Sequence, residues 1–188
     1  MLVALGLGNP EVRYEGTRHN LGKEVVCSLI ERLRLRAMPG RGDYRYAQEP
    51  SKELVLVVPT TYVNLSGRAA VRALDEFGAG IDDLLVVCDD FSLPLGTLRL
   101  RPQGSDGGHN GLASIIYDLG SEAFGRLRIG IGPLPEGCEA ADFVLGRFSA
   151  PEAAALEKAR VLACEAVLTV AGEGMEAAMN AYNRKGEV

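Results

Sequence analysis

No stretch of this 188-residue chain approaches the ~20 consecutive apolar residues of a membrane-spanning helix. The opening apolar run, Met1 to Leu7, stops at Gly8-Asn9-Pro10. It is shorter than a secretory signal and has neither a basic start nor a cleavage site. Cysteine is sparse: Cys27, Cys88, Cys138 and Cys164 lie far apart, with no CxxC and no metal-ligand spacing, so they read as free thiols of a reducing, cytoplasmic protein. Basic charge is not in excess: 20 Lys and Arg against 25 Asp and Glu leave a formal charge of −5. That excludes a generally basic nucleic-acid coat but not a local basic track. Repeats and low-complexity tracts are missing as well.

What is present is a chain with 47% hydrophobic and 24% charged residues, ordinary for a globular protein. Residues 1–188 suit a single domain, and a chain of this length buries roughly 70% of its unfolded surface without a disulfide or metal. The apolar runs Leu2 to Leu7 and Leu84 to Cys88 read as strands covered on both faces, the second closed by Asp89-Asp90. Tyr44 to Gln48 and Leu54 to Val58 read as a strand pair joined by a polar turn, with Pro59 as the stop. Thr97 to Arg101 and Arg126 to Ile131 alternate as strands. Helical spacing predicts helices over Leu21 to Leu35, through Val71, Leu74 and Phe77 to the stop at Gly78, and along Leu112 to Leu119. Ser149-Ala150-Pro151-Glu152 is a capping box opening an alanine-rich helix to about Ala171, with a shorter one over Glu173 to Tyr182. The expected fold is α/β: a single layered domain, a mixed β-sheet flanked by helices.

Both histidines of the chain precede an asparagine at the entrance to a helix: His19 in Thr17-Arg18-His19-Asn20 and His109 in Gly108-His109-Asn110-Gly111. Such residues can simply bond locally as caps, or a neutral imidazole can serve as a general base. A metal pair has no further clustered ligands to complete it. Asn9, Asn64 and Asp89 follow predicted strands, where α/β sheets bind ligands. Asparagine there can donate to a carbonyl or oxyanion without bringing charge, and aspartate can fix a histidine tautomer. Singly, each could be a turn or cap residue. Gly6-Leu7-Gly8-Asn9-Pro10 lacks the third glycine of a dinucleotide fingerprint, and Gly104-Ser105-Asp106-Gly107-Gly108 lacks both a Walker lysine and a GxSxG elbow. The latter reads instead as a flexible gate over the site.

The ordered blocks Gly6-Leu7-Gly8-Asn9-Pro10, Thr17-Arg18-His19-Asn20, Pro59-Thr60-Thr61-Tyr62-Val63-Asn64-Leu65-Ser66-Gly67, Gly104 to Leu112, Arg126 to Gly132 and Phe143-Val144-Leu145-Gly146 make the chain similar to the bacterial peptidyl-tRNA hydrolases from Leu5 to about Tyr182. The resemblance implies hydrolysis of the ester between a peptide and the terminal ribose of tRNA, by a monomer without metal or nucleotide cofactor. It implies His19 as the base that activates water and Asp89 as its orienter. It implies Asn9, Tyr14, Tyr62, Asn64, His109 and Asn110 as the groups around the substrate. The chain departs from the family pattern at Val63, Glu11 and Ser92, where methionine, glycine and a second aspartate are usual. No departure removes a catalytic candidate.

For the RNA, Arg99, Arg101, Arg126 and Arg128 alternate along two strands and form a candidate phosphate track, with Arg101 and Arg128 as its chosen contacts. Solvated strand edges would look the same. Residues 133–142, where the family often has lysines, carry Glu136, Glu139 and Asp142 and no base.

Overall fold

The computed structural model describes residues 1–183. Seven strands form one sheet: β1 (Leu2–Gly6), β2 (Met38–Pro39), β3 (Tyr44–Glu49), β4 (Leu54–Pro59), β5 (Leu84–Pro94), β6 (Leu98–Arg101) and β7 (Gly125–Gly132). Their spatial order is β2-β3-β4-β1-β5-β7-β6. The centre, β4-β1-β5-β7, is parallel. Antiparallel β2, β3 and β6 finish its edges, so the mixed sheet is as the sequence predicts.

Helices cover both faces. Val3, Leu5, Val55, Val57, Val86 and Cys88 pack with Ala69, Ala73, Leu112 and Ile115 of α2 (Ser66–Phe77) and α3 (Asn110–Leu119). The intervening residues Ala4, Leu56, Leu85, Val87 and Leu127 face α1 (Leu21–Arg32), α5 (Ala150–Glu173) and α6 (Met175–Tyr182). Successive strand side chains therefore enter two different cores, which is why the central strands read as unbroken apolar runs.

Three boundaries differ from the sequence expectation. Helix α1 ends at Arg32, because Arg34 is left-handed at φ 54° and turns the chain away. Strand β5 does not stop at Asp89-Asp90; these pair with Ile129 and Gly130 of β7 before an irregularity in register ahead of Pro94. A short helix, α4 (Ala140–Leu145), precedes the capping box and has no amphipathic signal in the sequence.

Candidate active site

The site forms where β1 ends beside the middle of β5, at the mouths of α1 and α3. The first turn of α1 lies almost against β5: a Cβ on Gly22 would sit 2.1 Å from the Val87 carbonyl oxygen. Only glycine allows this approach. It brings the short 3₁₀ turn Arg18–Asn20, just ahead of α1, up to Asp89.

Asp89 is 3% exposed and His19 7%. His19 Nδ1 lies 3.0 and 3.2 Å from the two Asp89 carboxylate oxygens, and His109 Nε2 lies 3.1 Å from Oδ1. The imidazole rings are 4.7 Å apart, centre to centre. The surrounding bonds dictate the protons. His109 is the N-cap of α3, and its Nδ1 accepts from the Gly111 and Leu112 amides at 3.1 and 3.4 Å. That Nδ1 must carry a lone pair, so the ring proton is on Nε2 and is donated to Asp89. His19 donates Nδ1–H to the same carboxylate. Its Nε2 then carries a lone pair, has no partner among the described residues and is not sealed from solvent.

Burial by itself would raise the Asp89 pKa. The hydrogen bonds from His109 and His19 outweigh it and hold the carboxyl well below the usual carboxylate range. Asp89 is therefore an anion throughout the neutral range. Complete burial, reinforced by the same anion, pushes the neighbouring Cys88 thiol far up, which leaves it unreactive.

His19, Asp89 and His109 are also the single group among the described residues whose ligand atoms are close enough to share a metal ion. His109 fits that role poorly. To ligate through Nε2 it would have to protonate Nδ1, turning an acceptor of two helix amides into a donor facing them.

The asparagines are organised by a second network. Asn20, 1% exposed, accepts from the Asn9 amide at 2.8 Å and donates to the Asn9 carbonyl at 3.1 Å, where Lys23 Nζ also donates. Asn9 Oδ1 accepts from the Val63 amide at 3.0 Å, which fixes the flip of its side chain and leaves Nδ2 without a partner and open to solvent. The same bond holds the turn Val63–Leu65 that carries exposed Asn64. The start of α3 abuts that turn, since a Cβ on Gly111 would meet Val63 Cγ2 at 2.9 Å, and exposed Asn110 stands beside it. Tyr14 and Tyr62 meet edge to face at 6.5 Å on the rim, Tyr62 being 42% exposed.

Several sequence expectations change. His109 is not a free donor for a substrate, because both ring nitrogens are committed within the fold. The Gly104–Gly108 loop is not a free gate: Arg126 Nη1 donates to the Ser105 carbonyl at 2.8 Å, and Asp106 accepts from the Gly108 and His109 amides. Arg126 leaves the phosphate track for the same reason. It is 2% exposed, stacks on Phe124 and also donates to the Glu122 carbonyl. Arg101 is exposed and makes no ion pair among the described residues, whereas Arg128 is paired with Asp90. A cavity of about 260 Å³ joins Arg101 and Arg128 to Asp89 and His109, with Asp90, Phe91 and Val144 in its wall. Both aspartates thus border one cavity, although Asp90 serves Arg128 and the Ser92 amide while Asp89 serves the histidines. Sequence reasoning missed Asn20, whose position in a second His-Asn pair was the available signal, and the buried roles of Arg18 and Arg126, which carry none.

Known proteins place this chain in a family. The family model described as Peptidyl-tRNA hydrolase matches residues 3–188. A peptidyl-tRNA hydrolase of Chlorobium luteolum is 48% identical over 191 residues, covering 100% of each chain. One from Lachnospira eligens is 42% identical over 190 residues, covering 97% of this chain and all of the other. The crystal structure of peptidyl-tRNA hydrolase from Acinetobacter baumannii superposes with a TM-score of 0.92 at 28% identity, covering 100% of this chain and 97% of that one. With the family model spanning nearly its whole length and relatives 42–48% identical end to end, this chain belongs to the peptidyl-tRNA hydrolase family.

Proposed function

We propose that this chain hydrolyses the ester joining a peptide to the terminal ribose of tRNA, returning free tRNA, with His19 as general base. The observation that carries this reading is the state of the His19 ring: Nδ1–H is committed to an ionised, buried carboxylate, and the lone pair on Nε2 faces outward. Water held at Nε2 attacks the ester carbonyl as its proton passes to Nε2. The new C–O bond forms and the carbonyl electrons move to oxygen. The free Nδ2 of Asn9 and the amides of exposed Asn64 and Asn110 are suited to receive that oxyanion or the peptide backbone without adding charge. Collapse breaks the bond to the ribose, whose oxygen takes the proton back from His19. Asp89 stays ionised and compensates the imidazolium in between. His109 supports Asp89 through its Nε2–H, and its ring forms part of the cavity wall.

No metal or cofactor enters these steps. Tyr14 and Tyr62 offer an aromatic rim to the peptide, and Arg101 and Arg128 are the proposed phosphate contacts. The protein acts as a cytoplasmic monomer in this reading, and no helix among the described residues is long and apolar enough to cross a membrane.

The test is turnover of peptidyl-tRNA and of a minimal peptidyl-adenosine ester by the wild type and by His19→Ala. Both substrates should be cleaved by the wild type and neither efficiently by the variant. A His19→Ala enzyme keeping more than about a tenth of the wild-type rate, where loss of a base typically costs ~10²–10⁴-fold, removes His19 from the role.

A further inference from the structure

His19 sits in a three-residue turn that has little to hold it in place from within: its closing backbone bonds are Asn20 N to Thr17 O at 3.1 Å and Leu21 N to Arg18 O. From outside, it is held on one flank by Asn20 bonded to Asn9 and on the other by the residue before it. Arg18 N donates to the Gly146 carbonyl at 3.0 Å, and Thr17 forms an antiparallel bridge with Arg147. The Arg18 guanidinium donates through Nη1 to the Arg147 carbonyl at 2.7 Å and through Nη2 to both oxygens of Glu152 at 3.1 Å. Its Cζ lies 4.5 Å from the Phe143 ring centre and 5.0 Å from that of Phe148. The side chain is 11% exposed, and its Nε is sealed without a partner.

Nothing in this arrangement serves a phosphate, because the planar fork is already occupied and covered by two rings. Nor does α5 need it. Glu152 already closes the capping box through the Ser149 amide and hydroxyl, both at 2.6 Å. The connection runs the other way. The segment from Phe143 to Glu152 grips the residue that precedes the base, and Val144, next to Phe143, forms part of the cavity wall beside Asp89 and His109.

We infer that Arg18 is a positioning residue for the hydrolytic reaction: held between Phe143 and Phe148 and bonded to Arg147 and Glu152, it fixes the turn that aims His19 Nε2 at the ester. The inference rests on the reading of His19 as the base. Its mechanism is orientation. A general base works only when its lone pair lies in line with the water, and a displacement of about 1 Å can cost ~10²-fold in rate. The backbone bonds from the Gly146–Arg147 segment set where the turn lies, and the guanidinium keeps that segment in register with it.

The experiment compares Arg18→Met, which keeps the stem but loses the fork, with Arg18→Lys and Glu152→Gln. kcat and KM are measured separately on peptidyl-tRNA and on the peptidyl-adenosine ester, beside the thermal midpoint and the ¹⁵N spectrum of the His19 ring. Arg18→Met is expected to lower kcat about 10–100-fold on both substrates, with KM changing less than about threefold. Arg18→Lys should recover part of the loss. Glu152→Gln should lie between, and the Arg18→Met/Glu152→Gln double variant should be no slower than Arg18→Met, because the two side chains act as one unit. The His19 ring should pass from a single Nδ1-protonated tautomer to a mixture.

A lowered thermal midpoint with kcat and tautomer unchanged would make Arg18 a structural rivet and overturn the inference. So would a loss confined to KM for peptidyl-tRNA, which would make Arg18 an RNA contact. If Arg18→Met does not fold, Glu152→Gln and Phe148→Leu, which leave Arg18 in place, decide the question: unchanged kcat in both overturns it. A fully active His19→Ala enzyme would instead remove the base itself, a result separate from any of these.

Discussion

His19 and His109 each stand ahead of an asparagine at a helix entrance, and each donates to the carboxylate of Asp89. They do so from opposite ring nitrogens. His19 gives Nδ1–H and keeps Nε2 open, while His109 gives Nε2–H and commits Nδ1 to the first amides of α3. Two similar local sequences thus yield one imidazole that can take a proton and one that cannot do so without releasing a helix. The difference lies in the backbone. His109 occupies the N-cap, where a side-chain acceptor is needed, whereas His19 lies in a 3₁₀ turn whose amides are used elsewhere.

The sharpest way to break this comparison is to remove each ring in turn. His19→Ala should lower kcat by ~10²–10⁴-fold with little change in KM, measured on the minimal ester so that RNA affinity does not intrude. Next in size is Asp89→Asn, which takes the acceptor from both histidines; about 10²-fold in kcat is expected, against less than about threefold for Asp90→Asn. Equal losses would mean that the carboxylate serving Arg128 also serves the base.

His109→Asn preserves an N-cap acceptor but abandons Asp89. It should cost about tenfold in kcat and little stability, whereas His109→Ala should add roughly 1 kcal/mol of destabilisation read by chemical denaturation. If His109→Asn were as inactive as His19→Ala, the two rings would not be divided as described.

Arg101→Ala and Arg128→Ala should leave the minimal ester unaffected, raise KM for peptidyl-tRNA and each reduce the salt slope by about one. The smallest effect concerns acid. Asp89 is held below the ordinary carboxylate pKa in the folded chain, so the stability it contributes is full above that ordinary value and is lost as pH falls below it towards the depressed one. The stability gap between wild type and Asp89→Asn should therefore narrow on titration below about pH 4.

Much of this was legible in the sequence, and particular residues show why. Val3, Ala4 and Leu5 announce a strand buried on both faces, and the capping box at Ser149-Glu152 announces α5. His19, Asp89, Asn9 and Asn64 stood out as polar residues at strand ends and helix entrances, but singly each could have been a cap or turn residue, and only the family resemblance gave them roles. The division between the two histidines could not be read. It depends on which nitrogen meets which amide, a matter of side-chain angle rather than residue type. The misread Arg126 has a related cause. Alternation places Arg126 beside Arg128 on one face but does not reveal the Ser105 and Glu122 carbonyls, which reach Arg126 from other segments. Arg18 was hidden most completely, since its partners Arg147 and Glu152 lie more than a hundred positions away.

The strand order also bears on how the molecule comes into being. β1 is synthesised first yet lies between β4 and β5, so its edges stay unpaired until residues 54–59 and 84–94 have left the ribosome. Its parallel neighbours can join only through long crossovers, which makes closure slow and leaves an apolar strand open to wrong partners in the meantime. An enzyme that serves translation is on this account itself a demanding product of it, and the carboxylate shared by both histidines exists only once the second of β1's partners has been made.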